Sequence, residues 1–149
     1  MSTLNPMPGA PGPESDPAAL PPILADGRVN ILIVDDEPAN LKVLEVILDD
    51  PGYRLVRANN ANDALMALVA EDFGLLILDI RMPDMSGFEL AQLIKQRKKS
   101  ASVPIIFLTA FYNEDQDVVA GYGTGAVDYL HKPVNTEQLL SLMRVWLFR

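Results

Sequence analysis

The 149-residue sequence contains no cysteine, a single histidine, and only 12 basic residues against 20 acidic ones. Without cysteine the chain can form neither a disulfide framework nor a thiolate metal site. The net charge of −8 argues against a nucleic-acid surface, which needs clustered lysine and arginine. No apolar run approaches the roughly 18 residues of a membrane span, and the N-terminus lacks the charged start and apolar centre of a signal peptide. These absences predict a cytoplasmic protein.

Proline, by contrast, is abundant at one end of the chain. Residues 1–28 carry seven of the 12 prolines, three glycines and almost no periodic apolar pattern. Such a segment buries too little apolar surface to offset the entropy of ordering it, so we predict a disordered tail. Residues 29–149 suffice for one domain with a sizeable core. The one basic run, KQRKK at 95–99, is interpreted as the solvated end of a helix.

Short apolar runs alternate with segments of helical spacing in the rest of the chain. The runs are ILIV (31–34), YRLVRA (53–58), LLIL (75–78), PIIFLT (104–109) and AVDYL (126–130). Two of the helical segments carry apolar stripes, formed by Leu41, Leu44 and Leu48 and by Ala61, Ala64, Leu65, Leu68 and Val69. Five strands alternating with helices predict an α/β fold, a parallel sheet covered on both faces.

The composition of the runs indicates the order of the strands. The first, third and fourth are continuously apolar, whereas Arg54 and Arg57 interrupt the second and Asp128 interrupts the fifth. Interrupted runs are typical of edge strands, and the order 2-1-3-4-5, already known for flavodoxin-like doubly wound sheets, puts these two at the edges. In that order strands one and three are neighbours where the winding reverses, and ligands bind beyond their carboxyl ends.

Acidic residues stand at the ends of these two neighbouring strands. ILIVDDE ends in Asp35 and Asp36, and LLILD ends in Asp79. A carboxylate there is costly unless a metal, a partner or a reaction needs it. Three carboxylates within about 5 Å repel by roughly 3 kcal/mol per pair at an effective dielectric near 20. Mg²⁺ would relieve this repulsion, so we predict a magnesium site with a carboxylate nucleophile. The alternative is an acidic loop cluster exposed to water.

Two further strand ends reach the same edge of the predicted sheet. The fourth strand ends at Thr109, whose hydroxyl can hydrogen-bond a phosphoryl oxygen. The fifth is followed by Lys132 and Pro133, which bring an ammonium group to the same crevice. A cation, a hydroxyl, a metal site and a nucleophilic carboxylate together suit an aspartyl-phosphate intermediate.

With these residues, the chain resembles the receiver (response-regulator) domain family of two-component signalling over residues 29–149. The motifs that carry the resemblance are ILIVDDEPAN, LILDIRMPDMSG, IIFLTA and GAVDYLHKP, in this order and at receiver-like spacing. The resemblance implies a flavodoxin-like (βα)5 fold. It also implies a phospho-accepting switch that catalyses only its own phosphorylation and dephosphorylation, rather than a metabolic enzyme.

The resemblance also implies a ligand set for the metal. Asp79 would accept the phosphoryl group and contribute to the metal site. Asp36 would bind Mg²⁺ directly, and Asp35 would act largely through a coordinated water. The backbone carbonyl of Arg81 would be the third protein ligand.

Three residues on or just after the last two strands gain roles from the same resemblance. Lys132 would pair with the phosphoryl group or with the Asp79 carboxylate, and Thr109 would move to hydrogen-bond the phosphoryl group. Tyr129 occupies the aromatic position whose rotamer changes on phosphorylation. The peptide bond between Lys132 and Pro133 is expected to be cis.

The implied partners are proteins. A histidine kinase or a histidine phosphotransfer protein would donate the phosphoryl group, and phosphorylation would reshape the face formed by the fourth helix, the fifth strand and the fifth helix. That face would control an output domain, a partner or a homodimer, without direct contact to nucleic acid and without membrane insertion.

The last helical segment carries its own signal for a partner. We expect Asn135 or Thr136 to cap it. Its residues facing the sheet are expected to be Leu139, Leu142, Met143 and Trp146. Val145 and Phe148 fall outside that arc and would expose apolar surface, which favours a partner, a dimer or a longer helix over simple fraying.

The sequence leaves two alternative functions to be considered. An aspartyl phosphatase or phosphotransferase of the haloacid dehalogenase class would carry both acids at one strand end and a cap over its substrate. Here the candidate nucleophile is on strand three, and no insertion could form a cap. A phosphorylation-independent interaction module with a receiver fold would normally lack one of Asp36, Asp79 or Lys132, and all three are present.

Overall fold

The computed structural model describes residues 23–110 and 127–147. The strands are β1 (Val29–Val34), β2 (Tyr53–Ala58), β3 (Leu75–Asp79), β4 (Ile105–Thr109) and β5 (Val127–His131). The helices are α1 (Pro38–Ile47), α2 (Ala61–Ala70), α3 (Gly87–Gln96) and a C-terminal helix (Thr136–Leu147). The fourth helix predicted from the sequence and most of the predicted tail, residues 1–22, lie outside the described residues.

The five strands form one parallel sheet in the order β2-β1-β3-β4-β5, which confirms the predicted fold class and strand order. Val34 of β1 is paired with Leu78 of β3, and Thr109 of β4 with His131 of β5. All the strands run in one direction, so their carboxyl ends meet at one edge of the sheet. The residues at the carboxyl ends of β1, β3, β4 and β5 therefore lie along the same edge.

Apolar residues cover the sheet on both faces, because successive side chains of a strand point to opposite sides. In β3, Leu76 and Leu78 pack towards α2 and α3, while Leu75 and Ile77 pack towards α1 and the C-terminal helix. All five residues of β3 are buried. This two-sided burial explains why the central strands are continuously apolar in the sequence.

The two apolar stripes predicted for the helices fare differently. The stripe of α1 is confirmed, since Leu41, Leu44 and Leu48 are all at most 2% exposed. The stripe predicted for α2 is wrong in including Val69, which is 64% exposed. Each residue turns a helix by about 100°, and Val69 therefore lies beyond the margin of the face that Ala64 and Leu68 bury.

The C-terminal helix packs as predicted within its described length. The side-chain oxygen of Asn135 accepts a hydrogen bond from the backbone N–H of Gln138 at 2.9 Å, which caps the helix. Leu139 and Met143 are buried, and Leu142 and Trp146 are partly buried against the same core. Val145 is 52% exposed, as predicted, and Phe148 lies outside the described residues.

The amino end of the sheet is held by polar contacts. The buried side chain of Asn30 on β1 accepts a hydrogen bond from Arg54 of β2 at 2.8 Å, and the same Arg54 nitrogen lies 2.6 Å from Glu71. Ahead of β1, residues 23–28 form a turn closed by a hydrogen bond from the Leu24 N–H to the Arg28 carbonyl at 2.8 Å.

Within residues 23–110 and 127–147, no helix has the length and apolar character that a membrane crossing requires.

Candidate functional site

The carboxyl ends of β1 and β3 bring the three predicted acids together. Asp35 and Asp36 follow β1 directly, and Asp79 is the last residue of β3. One carboxylate oxygen from each lies within 4.8 Å of the others. Asp35 and Asp79 are 0% and 2% exposed, and Asp36 is half-buried. The cluster is therefore a largely desolvated site rather than an acidic loop in water.

Lys132 links two of these carboxylates. Its Nζ lies 2.9 Å from Asp79 Oδ1 and 3.1 Å from Asp35 Oδ2. The backbone N–H of Lys132 donates to the Thr109 carbonyl at 2.7 Å, and the peptide bond between Lys132 and Pro133 is cis. One ammonium group is thus shared between two buried negative charges. The sequence predicted the pairing with Asp79 and missed the pairing with Asp35.

Backbone amides hold the two buried carboxylates from the other side. The Glu37 N–H donates to Asp35 Oδ1 at 2.9 Å, and the Arg81 N–H donates to the carboxylate of Asp79. Both contacts join an aspartate to the amide two residues later, a pattern common for aspartates that open a turn. Sequence reasoning missed these contacts, although an aspartate at the start of a loop was the available signal.

The surroundings set the charges of Asp79 and Lys132. The pKa of Asp79 is raised from its usual 3.8 to about 6, mainly because the carboxyl group is buried and also because Asp35 is close, although the hydrogen bond from Lys132 opposes the rise. Burial alone would lower the pKa of Lys132, but Asp79 and Asp35 outweigh it and the pKa is raised. At neutral pH the site therefore holds an ionised carboxylate next to a charged ammonium.

Of the remaining predicted residues, Thr109 and Arg81 lie at the same end of the sheet, whereas Tyr129 lies in the middle of β5. Thr109 is the last residue of β4 and is 1% exposed. Tyr129 on β5 is 36% exposed, and its ring meets the ring of His131 edge-on, with centroids 5.8 Å apart. Arg81, whose side chain is exposed, lies in the loop after β3. Thr109 is thus enclosed at the carboxyl edge, while Tyr129 faces solvent.

An open cleft of about 650 Å³ adjoins the acids. It is lined by Asp36, by Ile80 to Ser86 of the loop between β3 and α3, and by Phe88 and Glu89. Reciprocal hydrogen bonds start α3: Ser86 Oγ accepts from the Glu89 N–H at 3.1 Å, and Glu89 Oε1 accepts from the Ser86 N–H at 3.2 Å. A pre-formed helix start therefore holds one wall of the cleft.

The acidic cluster has the composition of a magnesium site. Mg²⁺ prefers hard oxygen ligands and is usually bound by one or two carboxylates together with several waters. The three acids here present clustered oxygens, and two of the acids, Asp35 and Asp79, are almost fully buried. Asp35, Asp36 and Asp79 therefore fit a bound divalent cation.

Comparison with known proteins identifies the family. The family model described as response regulator receiver domain matches residues 31–144. The chain is 39% identical over 123 residues to the transcriptional regulatory protein YvrH of Bacillus subtilis, covering 82% of this chain but only 50% of YvrH.

Solved structures agree with this assignment. The Vibrio cholerae chemotaxis protein CheY4 superimposes with a TM-score of 0.73 at 29% identity, over 80% of this chain and 99% of that one. The signal receiver domain of a histidine kinase from Syntrophus aciditrophicus gives 0.70 at 32% identity, over 80% and 89%. The five-stranded sheet, the strand order and the sequence matches agree, and the chain belongs to the response regulator receiver domain family of two-component systems.

Proposed function

We propose that this receiver domain accepts a phosphoryl group on Asp79 and uses the resulting acyl phosphate as a reversible signal. The donor would be a phosphohistidine on a histidine kinase or a histidine phosphotransfer protein. The observation that carries the proposal is the pairing of an enclosed, ionised Asp79 with Lys132 at 2.9 Å inside a cluster of three acids. A nucleophilic carboxylate and a phosphate-binding cation are thereby held side by side.

Four residues would hold the metal. Asp36, Asp79 and the backbone carbonyl of Arg81 would bind Mg²⁺ directly, and Asp35 would bind largely through a coordinated water. Bound Mg²⁺ would supply positive charge that offsets the carboxylates and the phosphoryl oxygens.

The residues of the chain account for the rest of the transfer. A carboxylate oxygen of Asp79 attacks phosphorus, the new O–P bond forms, and the P–N bond to the donor imidazole breaks. The electron pair of that bond stays on the imidazole nitrogen, which takes a proton from water. Lys132 pairs with one phosphoryl oxygen, and the Thr109 hydroxyl donates a hydrogen bond to another. Water later attacks the same phosphorus, releasing inorganic phosphate and restoring the Asp79 carboxylate.

The output follows from a local change of charge. A phosphoryl group adds about −1.5 to −2 charge, which draws Lys132 and Thr109 towards it and leaves room for the exposed ring of Tyr129 to turn inward. The surface formed by β5, the C-terminal helix and the predicted fourth helix would change with it and control a partner, an output domain or a homodimer. We place this reaction in the cytoplasm, where phosphorylated kinases and acetyl phosphate are available.

The test is phosphorylation in vitro with acetyl phosphate and Mg²⁺, followed by intact mass and a Phos-tag gel, with Asp79→Asn as the control. We expect a metal-dependent gain of one phosphoryl group that the variant lacks. A folded wild-type protein that gains nothing from acetyl phosphate or from a phosphorylated histidine phosphotransfer protein would overturn the proposal. The phosphorylation-independent interaction module would then replace it.

A further inference from the structure

Gly87, the first residue of α3, lies against the backbone of the proposed phosphoryl acceptor. A Cβ atom built on Gly87 would overlap the carbonyl oxygen of Asp79 and would lie 2.9 Å from Ile80 Cα. Both of these are backbone atoms in or beside a buried strand, so they cannot rotate away as a flexible side chain would. The position therefore requires glycine because of its close approach to neighbouring backbone.

Hydrogen bonds hold this approach in place. The Gly87 N–H donates to the Ile80 carbonyl at 2.8 Å, and the Ile80 N–H donates to the Leu108 carbonyl of β4 at 3.1 Å. The loop of residues 81–86 thus leaves the sheet and returns to it at the same point. Next to Gly87, the ring of Phe88 packs edge-on against Phe107 with centroids 5.0 Å apart. The first turn of α3 is therefore fixed to the sheet at its exit from β3.

Arg81 follows the Asp79–Ile80 backbone directly in the chain. Its backbone N–H donates to the Asp79 carboxylate, and its carbonyl is the proposed third metal ligand. A shift of the Asp79–Ile80 backbone would move both groups together. Because Mg²⁺ demands nearly ideal octahedral geometry, a displacement of a few tenths of an ångström would weaken its binding.

We propose that Gly87 is a positioning residue for the magnesium site. By having no side chain, it lets α3 rest on the Asp79–Ile80 backbone and so fixes the two backbone groups of Arg81 that serve the site. This inference rests on the proposed function, since it concerns the metal that phosphoryl transfer would use.

The test compares Gly87→Ala with Gly52→Ala. A Cβ on Gly52 would meet only the end of the Asp50 side chain at 3.1 Å, and Gly52 precedes β2 at the opposite end of the sheet. The Kd for Mg²⁺ is measured by calorimetric titration of the unphosphorylated proteins, with folding checked by circular dichroism. We expect Gly87→Ala to raise the Kd by about 10- to 100-fold, as is common when support of a metal ligand is lost. Gly52→Ala should leave it unchanged.

Two further readouts separate positioning from a general loss of stability. In metal-free Gly87→Ala, the amides of Ile80 and residue 87 should exchange with deuterium faster than in the wild type, while the amides of β1 should stay protected. With acetyl phosphate, the variant should be phosphorylated slowly at low Mg²⁺ and at nearly the wild-type rate at saturating Mg²⁺. An unchanged Kd in folded Gly87→Ala would overturn the inference.

If Gly87→Ala does not fold, Ser86→Ala takes its place. This change removes the cap that holds the first turn of α3 without adding a Cβ against Asp79. It should raise the Kd for Mg²⁺ severalfold, and an unchanged Kd would then overturn the inference. Failure of the proposed function would give a different result, because the wild type would then bind Mg²⁺ but accept no phosphoryl group. The calorimetric titrations would still show whether Gly87 affects the Kd for Mg²⁺.

Discussion

Asp79→Asn should make the metal-free protein more stable at neutral pH, although it destroys the proposed phosphoryl acceptor. The substitution keeps the shape of the side chain and removes its charge. In the wild type Asp79 is only 2% exposed, and its carboxylate lies beside the negative carboxylate of Asp35. The single ammonium of Lys132, shared between the two acids, does not compensate for the loss of water around Asp79.

The magnitude follows from the pKa of Asp79, which burial raises from 3.8 to about 6. One pKa unit corresponds to about 1.4 kcal/mol, so ionising Asp79 in the folded protein costs about 3 kcal/mol more than ionising it in the unfolded chain. Asparagine avoids that cost. For a domain of this size such a gain corresponds to a melting temperature higher by roughly 10 °C.

The gain must depend on pH. The folded wild type binds one proton more than the unfolded chain between the unfolded pKa near 3.8 and the folded pKa near 6. The stability of the wild type relative to Asp79→Asn therefore falls as the pH rises through this window. The two proteins should be about equally stable near pH 4, and the advantage of the variant should be complete above about pH 7.

The assay is urea denaturation in the presence of EDTA, from acidic to neutral pH. Asp84→Asn serves as the matched control, because it removes the same charge from an exposed position of the neighbouring loop and should change the free energy of unfolding by less than about 0.5 kcal/mol. Saturating Mg²⁺ should stabilise only the wild type. It should therefore reduce the difference in the free energy of unfolding between the wild type and Asp79→Asn. The reasoning is refuted if Asp79→Asn is no more stable than the wild type at neutral pH, or if its advantage does not vary with pH.

Two further substitutions address the ion pair and a helix cap. Lys132→Met should lower the free energy of unfolding by about 3 kcal/mol in metal-free buffer at neutral pH, because it leaves buried carboxylates without a counter-charge. Urea denaturation should show a smaller loss at pH 5, where Asp79 is protonated, and an equal loss at both pH values would contradict this. Asn60→Ala should cost about 1 kcal/mol, because Asn60 caps α2 through the Asp63 N–H at 2.8 Å. Its Kd for Mg²⁺ should not change, and a weakened Kd would count against a purely local cap.

Much of the fold could be predicted because its central strands are covered on both faces. A strand such as β3 has no solvent side, so its extent appears in the sequence as an uninterrupted apolar run that ends at Asp79. Parallel strands then bring their carboxyl ends to one edge. The proximity of Asp35 and Asp79 followed from these two facts alone.

Contacts that depend on side-chain direction or on the path of a loop could not be predicted in this way. The ion pair between Lys132 and Asp35 joins the ends of β5 and β1, which are separated by β3 and β4 in the sheet. Which carboxylate the ammonium reaches depends on the path of the backbone between β5 and the C-terminal helix. Arg54 was interpreted only as the mark of an edge strand, yet it also satisfies the buried side chain of Asn30. The contact of Gly87 with the Asp79 backbone requires knowledge of how residues 81–86 return to the sheet.

The ion pair between Lys132 and Asp35 joins residues that are about 100 positions apart in the chain, yet their charged atoms lie 3.1 Å apart. One partner follows the first strand and the other follows the last. A chain in which β5 has not yet docked would carry the acids without their ammonium, and it could not present the full set of groups that phosphoryl transfer needs. If the proposed function is correct, the protein can therefore be phosphorylated on Asp79 only when folding is complete, and incompletely folded molecules do not signal.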